Sequence, residues 1–186
     1  MNEAKQILLA RQGDENAWVA LVRHHQEAVF RFAYLLVGNA DDAADVAQEA
    51  LIRAFRALDR FEPERPLRPW LLQIAKNVAA NQRRSVRRYI AAVHRWWQAA
   101  PYHTATEQNS VQQETTELLW QAIQRLKTTD QEIIYLRYFL DLSVAETAVV
   151  LNIAEGTVKS RLSRALGQLR TVVEHEFPSL REEVGV

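Results

Sequence analysis

The chain has 186 residues and no formal net charge, with nearly half its residues apolar and a quarter charged, the balance of a soluble globular protein of one ordinary domain or two small ones. It has no cysteine, which excludes disulfides and thiolate metal sites, and no apolar run near the roughly 20 residues that cross a bilayer. The opening Met-Asn-Glu-Ala-Lys lacks the basic-then-apolar layout of a signal peptide, so the chain reads as cytoplasmic, with no direct membrane insertion.

Apolar residues recur at helical rather than alternating spacing throughout, which predicts an all-α fold. A first helix spans Glu3–Arg11 and stops near Gly13. Asp14 caps the next, whose inward face carries Trp18, Leu21, Val22, Val29, Phe30, Ala33 and Tyr34, and Gly38-Asn39 close it as a C-cap pair. Asp41 and Asp42 sit in the first turn of a helix reaching Leu58, with Val46, Ala47, Ala50, Leu51, Ala54, Phe55 and Leu58 as its buried stripe. Three prolines between Phe61 and Pro69 break the helical pattern, and a helix from Pro69 to Arg88 buries Trp70 or Leu71, then Ile74 and Val78. Residues 1–88 form one domain. Residues 89–113 turn polar and read as a flexible linker, although its Trp96-Trp97 pair is odd for a solvated tether and marks a candidate partner contact.

A second domain over 114–173 resumes with helices at Glu114–Leu126, Thr129–Phe139, Ser143–Leu151 and Glu155–Val173. Residues 174–186 form a C-terminal tail without a readable signal.

The charges are segregated. Residues 1–64 hold seven Lys/Arg against eleven Asp/Glu, and the stretch from Glu107 holds eight against twelve. Between Arg65 and Thr106 stand eight cations (Arg65, Arg68, Lys76, Arg83, Arg84, Arg87, Arg88, Arg95) and no acid. A basic block in an otherwise neutral chain points to a local polyanion contact, against the blander reading of a solvated helix face.

The last two helices carry the sharpest local signal. Ser143 with Glu146 three residues on matches a capping box, and Asn152-Ile153-Ala154 makes a three-residue turn, the layout of a helix-turn-helix. On the second of these helices Val158, Leu162, Ala165 and Leu169 fall on the core side. The far side collects Gly156, Ser160 and Ser163 with Arg164 beside them, flanked by Lys159 and Arg161. Small polar residues in the middle approach base edges of a major groove while cations at the rim reach phosphates.

Leu136-Arg-Tyr-Phe-Leu-Asp-Leu-Ser143, Glu146-Thr-Ala148 and Glu155-Gly-Thr-Val-Lys-Ser-Arg-Leu-Ser-Arg-Ala165 resemble the carboxy-terminal domain of extracytoplasmic-function (ECF) sigma factors of the sigma-70 family. The resemblance implies that Ser143, Glu155, Gly156, Thr157, Lys159, Ser160, Arg161, Ser163 and Arg164 face minus-thirty-five promoter DNA. Thr147 departs from the family's usual isoleucine. If buried, its hydroxyl needs a partner, most easily the carbonyl of the preceding turn.

Asp41-Asp-Ala-Ala-Asp-Val-Ala-Gln-Glu49 and Arg53-Ala-Phe55 resemble the same family's polymerase-binding helix, which argues against a stand-alone helix-turn-helix regulator or a mere adaptor. Asp45, Gln48, Glu49, Ile52 and Arg56 fall opposite the apolar stripe. The resemblance implies core RNA polymerase as partner, through its β′ clamp helices and β flap, with Asp41, Asp45, Gln48, Glu49, Ile52 and Arg53 in the contact.

The segment from Phe61 to Trp70-Leu-Leu-Gln-Ile-Ala-Lys-Asn77 is similar to the family's promoter-melting segment, where a loop catches a flipped base and the following helix holds the non-template strand. Gln73, Lys76, Asn77, Ala80, Asn81, Arg84 and Arg87 share the face away from Ile74 and Val78, and Arg65, Arg68, Trp70 and Arg83 complete the set expected on minus-ten DNA. A cationic, amide-rich groove suits unpaired DNA. Trp70 is a stacking candidate, although a tryptophan at a helix start is more often core. The prolines Pro63, Pro66 and Pro69 stiffen the loop, lowering the entropic cost of a preformed pocket.

The resemblance covers about residues 5–88 and 114–172 and implies a subunit that binds duplex and single-stranded promoter DNA as part of a holoenzyme, held in check by an anti-sigma factor. His24, His25, His94, His103 and His175 lack ligand spacing, and no phosphate loop, nucleophile elbow or metal motif is present. The sequence therefore reads as a non-enzyme with no cofactor, no metal and no catalytic residue.

Overall fold

The computed structural model describes residues 2–94 and 111–180, with side chains over 2–81 and 117–180. Trp96-Trp97 and His103 lie outside the described residues, as do the side chains of Arg83, Arg84, Arg87 and His94.

The first half folds as α1 (Glu3–Arg11), α2 (Glu15–Val37), α3 (Ala40–Ala57), a single 3₁₀ turn (Leu58–Arg60) and α4 (Leu67–His94). Its boundaries follow from caps. Asp14 Oδ1 accepts the Ala17 N–H at 3.1 Å to start α2, and Gly38, in the left-handed region at φ 86°, ends it by donating to Tyr34 O. Asn39 starts the next helix rather than ending this one: its Oδ1 accepts the Asp42 N–H at 2.8 Å. The division of labour follows from backbone freedom, since glycine takes positive φ at no steric cost and an Asx side chain satisfies an orphan N–H.

The alanine stripe of α3 (Ala43, Ala47, Ala50, Ala54, with Val46) is buried and lets α3 approach α2 closely. Two expected core aromatics of α2 lie elsewhere. Phe30 and Tyr34 are exposed and stack on each other at 6.4 Å, while Phe32 and Leu36 fill the interior. Phe55 is likewise 52% exposed, its ring 5.2 Å from Trp18. Each sits at the margin of a broad apolar stripe, where helical spacing alone does not say which edge turns inward.

Helix α4 starts two residues before the sequence reading placed it. Pro69 is tolerated in its first turn, where an N–H has no intrahelical partner in any case. The helix also runs past Arg88 to His94, and α5 begins at Val111 rather than Glu114, so both ends of the expected linker are helical. Tyr89-Ile-Ala-Ala-Val-His94 contains no breaker, and the next proline is Pro101.

The second half comprises α5 (Val111–Gln124), α6 (Thr128–Ile134), a π-helical turn (Tyr135–Phe139), α7 (Val144–Leu151) and α8 (Glu155–Glu176). Trp120, Tyr135 and Phe139 form an aromatic cluster with centroids 5.6–6.4 Å apart, and Gln124 Nε2 donates to the Tyr135 hydroxyl at 2.7 Å. The expected helix through Phe139 is α-helical only to Ile134. Phe177 and Leu180, in the stretch read as a tail, are buried against α5 with Ala122. Among the described residues there is no strand, in keeping with the all-α expectation. No described helix is long and apolar enough to cross a membrane. The two halves also pack on each other, α7 against α4 and the π turn against α2, so the buried apolar interior is continuous between them.

Candidate functional site

Three surfaces gather the residues singled out from the sequence. The first is the outer face of α3. Asp41, Asp45, Gln48, Ile52, Arg53 and Arg56 are exposed and Glu49 is half-buried, paired to Arg53 Nε at 2.7 Å. Ile52 is 37% exposed, and Phe55 adds a larger apolar group that the sequence reading had assigned to the core. An aliphatic and an aromatic side chain set among acids make a face suited to a protein partner with cationic side chains. The signal for Phe55 was in the pattern: buried Ala54 beside it already fills the inward position.

The second surface is built by the loop 61–66 and the start of α4. The Glu3 carboxylate reaches over from α1, accepting the Leu67 N–H through Oε2 at 3.1 Å and bonding His25 Nε2 through Oε1 at 2.8 Å. Burial lowers the His25 pKa below its usual value, outweighing the Glu3 contact that raises it, so near neutral pH the ring is an uncharged donor to the carboxylate. Leu67 is fully buried behind this staple, which fixes where α4 begins. His24 joins Glu3 and His25 with ligand atoms within 4.8 Å of one another, a grouping that sequence spacing did not reveal. Both Glu3 oxygens already serve the fold.

Trp70 is half-buried, with its ring 4.7 Å from that of the buried Phe61, while Leu71 takes the core position. Beyond it Gln73 and Lys76 are half-buried, and Asn77, Ala80 and Asn81 are exposed in sequence along one face; Val78 is buried opposite and Ile74 packs on the core. Arg65 is exposed and paired with Glu62 at 2.8 Å. Arg68 is turned away from solvent: its Nη2 donates to Leu140 O at 2.9 Å, and its Nε is buried with no partner.

The third surface is α8 with the turn before it. Ser143 Oγ accepts the Glu146 N–H at 3.1 Å and Glu146 Oε2 accepts the Ser143 N–H at 2.8 Å, so the capping box is complete. The Ser143 N–H is also the main reason the Glu146 pKa is lowered. Thr147 is fully buried and its hydroxyl donates to Ser143 O at 2.8 Å, the partner its position demands. Asn152 turns the chain at φ 54°, in the left-handed region that Asn tolerates better than most residues. On α8, Val158 and Ala165 are fully buried, with Leu162 and Leu169 packed partly against the core. Glu155, Gly156, Thr157, Lys159, Ser160, Ser163 and Arg164 form an exposed strip opposite, and Arg161 is half-buried at its side.

Residues 21–89 match the family model for sigma-70 region 2 and residues 116–169 that for sigma-70 region 4. The chain is 30% identical over 175 residues to the ECF RNA polymerase sigma factor SigW of Bacillus subtilis, covering 89% of this chain and 94% of that one. It is 34% identical over 157 residues to the ECF RNA polymerase sigma factor SigL of Mycobacterium tuberculosis, covering 83% and 88%. Among solved structures, the sigma factor RpoE of Bartonella quintana in complex with the anti-sigma factor NepR matches with a TM-score of 0.65 at 26% identity, over 84% of this chain and 96% of that one. CnrH in complex with the cytosolic domain of CnrY shares the fold, with a TM-score of 0.70 at 24% identity over 95% and 99%.

Proposed function

The chain belongs to the ECF sigma factors of the sigma-70 family and directs transcription initiation as an alternative sigma factor, and we propose that its three exposed faces divide that work. The α3 face (Asp41, Asp45, Gln48, Glu49, Ile52 and Arg53, with Phe55 added) docks on the β′ clamp helices of core RNA polymerase. The loop and α4 face, from Arg65 through Trp70, Gln73, Lys76 and Asn77 to Asn81 and the arginines beyond, captures the unpaired minus-ten strand. The α8 strip reads duplex minus-thirty-five DNA while its domain rests on the β flap. These duties fall within residues 1–88 and 114–173. The protein performs no chemistry itself, works in the cytoplasm and is restrained by an anti-sigma factor.

The observation that carries this reading is the α8 strip. Seven small, polar or charged residues are exposed in a row while the buried flank pins the helix to its domain, as direct readout of a groove requires. Ser143 is better placed as the cap of α7 than as a base reader, since its hydroxyl is bonded to Glu146. Run-off transcription with purified core polymerase on a library of promoter fragments tests the assignment. Initiation at a defined promoter subset only when the chain is added, lost in Arg164→Ala and in Asn77→Ala, is the expected result. Core polymerase that neither binds the chain nor gains a promoter with it overturns it.

A further inference from the structure

Glu3, His24 and His25 form a cluster that the promoter and polymerase faces leave unused. Neighbouring residues on a helix point about 100° apart, so adjacent imidazoles meet only when both rings turn toward a group lying between them. Glu3 supplies that group from α1. Its Oε1 is 2.8 Å from His25 Nε2, and the His24 ring stands edge-on to the His25 ring with centroids 4.7 Å apart. One nitrogen of each ring and one Glu3 oxygen thereby lie within 4.8 Å of one another. The Glu3–His25 bond explains those two residues as a tie between α1 and α2, but it gives no role to the exposed His24.

We propose that Glu3, His24 and His25 bind one divalent transition-metal ion of the zinc class. Two imidazole nitrogens and one carboxylate oxygen favour this class over magnesium and calcium, which take oxygen ligands. Ligands about 2.0–2.2 Å from a tetrahedral zinc ion stand about 3.4 Å from one another. The 2.8 Å pair must therefore open by about half an ångström, and separations of up to 4.8 Å must close by at most about 1.4 Å. Rotation of the exposed His24 side chain supplies the larger movement. The hydrogen now held between His25 Nε2 and Glu3 moves to Nδ1 as the ion takes its place, and a water completes the shell from the solvent side.

The surroundings orient this site and moderate its affinity. Glu3 Oε2 keeps the Leu67 N–H at 3.1 Å while Oε1 serves the ion, so the ligating carboxylate is itself held by a hydrogen bond. One ion thus ties α1, α2 and the start of α4 together at a point. It enters through a pocket of about 280 Å³ whose wall carries Glu27, Arg31 and Arg68. Glu27 adds a second negative charge. The two arginines oppose a cation, although their guanidinium groups are drawn toward the Phe139 and Leu140 carbonyls. Three protein ligands beside two cations set the affinity below that of a four-ligand structural zinc site. The ligands stand apart from the promoter and polymerase faces, so ion binding is measured on the chain alone.

Equilibrium dialysis of the untagged, chelator-treated full chain against zinc should find one ion per chain with Kd below about 0.1 mM, which excess magnesium does not displace. At about a hundredfold excess over Kd, zinc should raise Tm by about 5–10 °C. His24→Ala should weaken binding at least tenfold and abolish that rise while keeping the ion-free Tm, because the ring is exposed; His175→Ala should change neither. Cobalt gives a second readout. The chain has no cysteine, so His24→Cys places its one thiol at the site, and added cobalt should produce a thiolate-to-metal charge-transfer band in the near ultraviolet. If His24→Ala melts early without the ion, that band decides. Zinc held as tightly by His24→Ala as by the unaltered chain overturns the site, as does a Kd above about 0.1 mM. Cobalt-treated His24→Cys without the band overturns it too.

Discussion

Replacing Ser143 with alanine separates a capping role from a DNA-reading one. The Ser143 hydroxyl accepts the Glu146 N–H and holds the first turn of α7, while the Ser143 backbone N–H is bound independently by the Glu146 carboxylate. Ser143→Ala removes only the first of these bonds. The loss should therefore be that of a single N-cap, about 1 kcal/mol. Because the buried interior is continuous across both halves, unfolding as one unit gives a fall in Tm of about 2–4 °C. Ser143→Asn, an equally good cap with a different shape toward DNA, should restore the melting temperature measured by circular dichroism. Glu146 adds a pH signature. Its folded pKa lies below the unfolded value, so its contribution is complete above about pH 4.5 and fades as pH falls through the lowered folded pKa. The alanine variant keeps the backbone bond that dominates that shift, so it should keep most of this acid dependence. An unchanged Tm in Ser143→Ala, or a drop that asparagine does not repair, would refute the capping argument. Normal melting with lost promoter activity in the asparagine variant would return Ser143 to the DNA.

His25 is buried and its pKa lowered, so the unfolded chain takes up its proton first. Stability should be full above about pH 6.5 and fall as acidity increases below it, with a slope of at most about 1.4 kcal/mol per pH unit; urea titrations between pH 7 and 5 should lose that slope in His25→Gln. Phe55→Ala should leave Tm nearly unchanged, since the ring is half exposed, yet weaken core polymerase binding about 5–30-fold if it is an anchor of the α3 face. Lys159→Ala and Arg164→Ala separate two kinds of contact at the α8 strip. A phosphate contact should lower the salt slope of minus-thirty-five binding by about 1 and weaken all sequences alike, whereas a base contact should relax specificity at one position. Leu180→Ala should lower stability by about 2–5 kcal/mol, because the residue is buried against α5 beyond the end of α8; an unaltered melt would remove this segment from the folded unit.

The amino-acid sequence by itself determined what is local. Caps and breakers are short-range chemistry, so Asp14, Gly38, the Ser143–Glu146 box and the Asn152 turn were legible as residues, and so were the helices they bound. The α8 strip was legible for the same reason, since one helix's angular periodicity suffices to oppose it to Val158 and Ala165. The hydroxyl partner of Thr147 lay one turn away and followed from burial alone. Tertiary packing decided the rest. Whether Phe30, Tyr34 and Phe55 turn inward depends on which neighbouring helix arrives at the margin of an apolar stripe, and it is Phe32, Leu36 and Ala54 that meet one. The Glu3–His25–Leu67 staple joins three elements across 22 and 64 positions of sequence, beyond the reach of any local pattern. The role of Arg68 was open for the same reason. In sequence it belongs to a run of cations suited to phosphate, but in the fold its guanidinium meets the carbonyl of Leu140, 72 residues away, because a helix end with unpaired carbonyls packs directly above it.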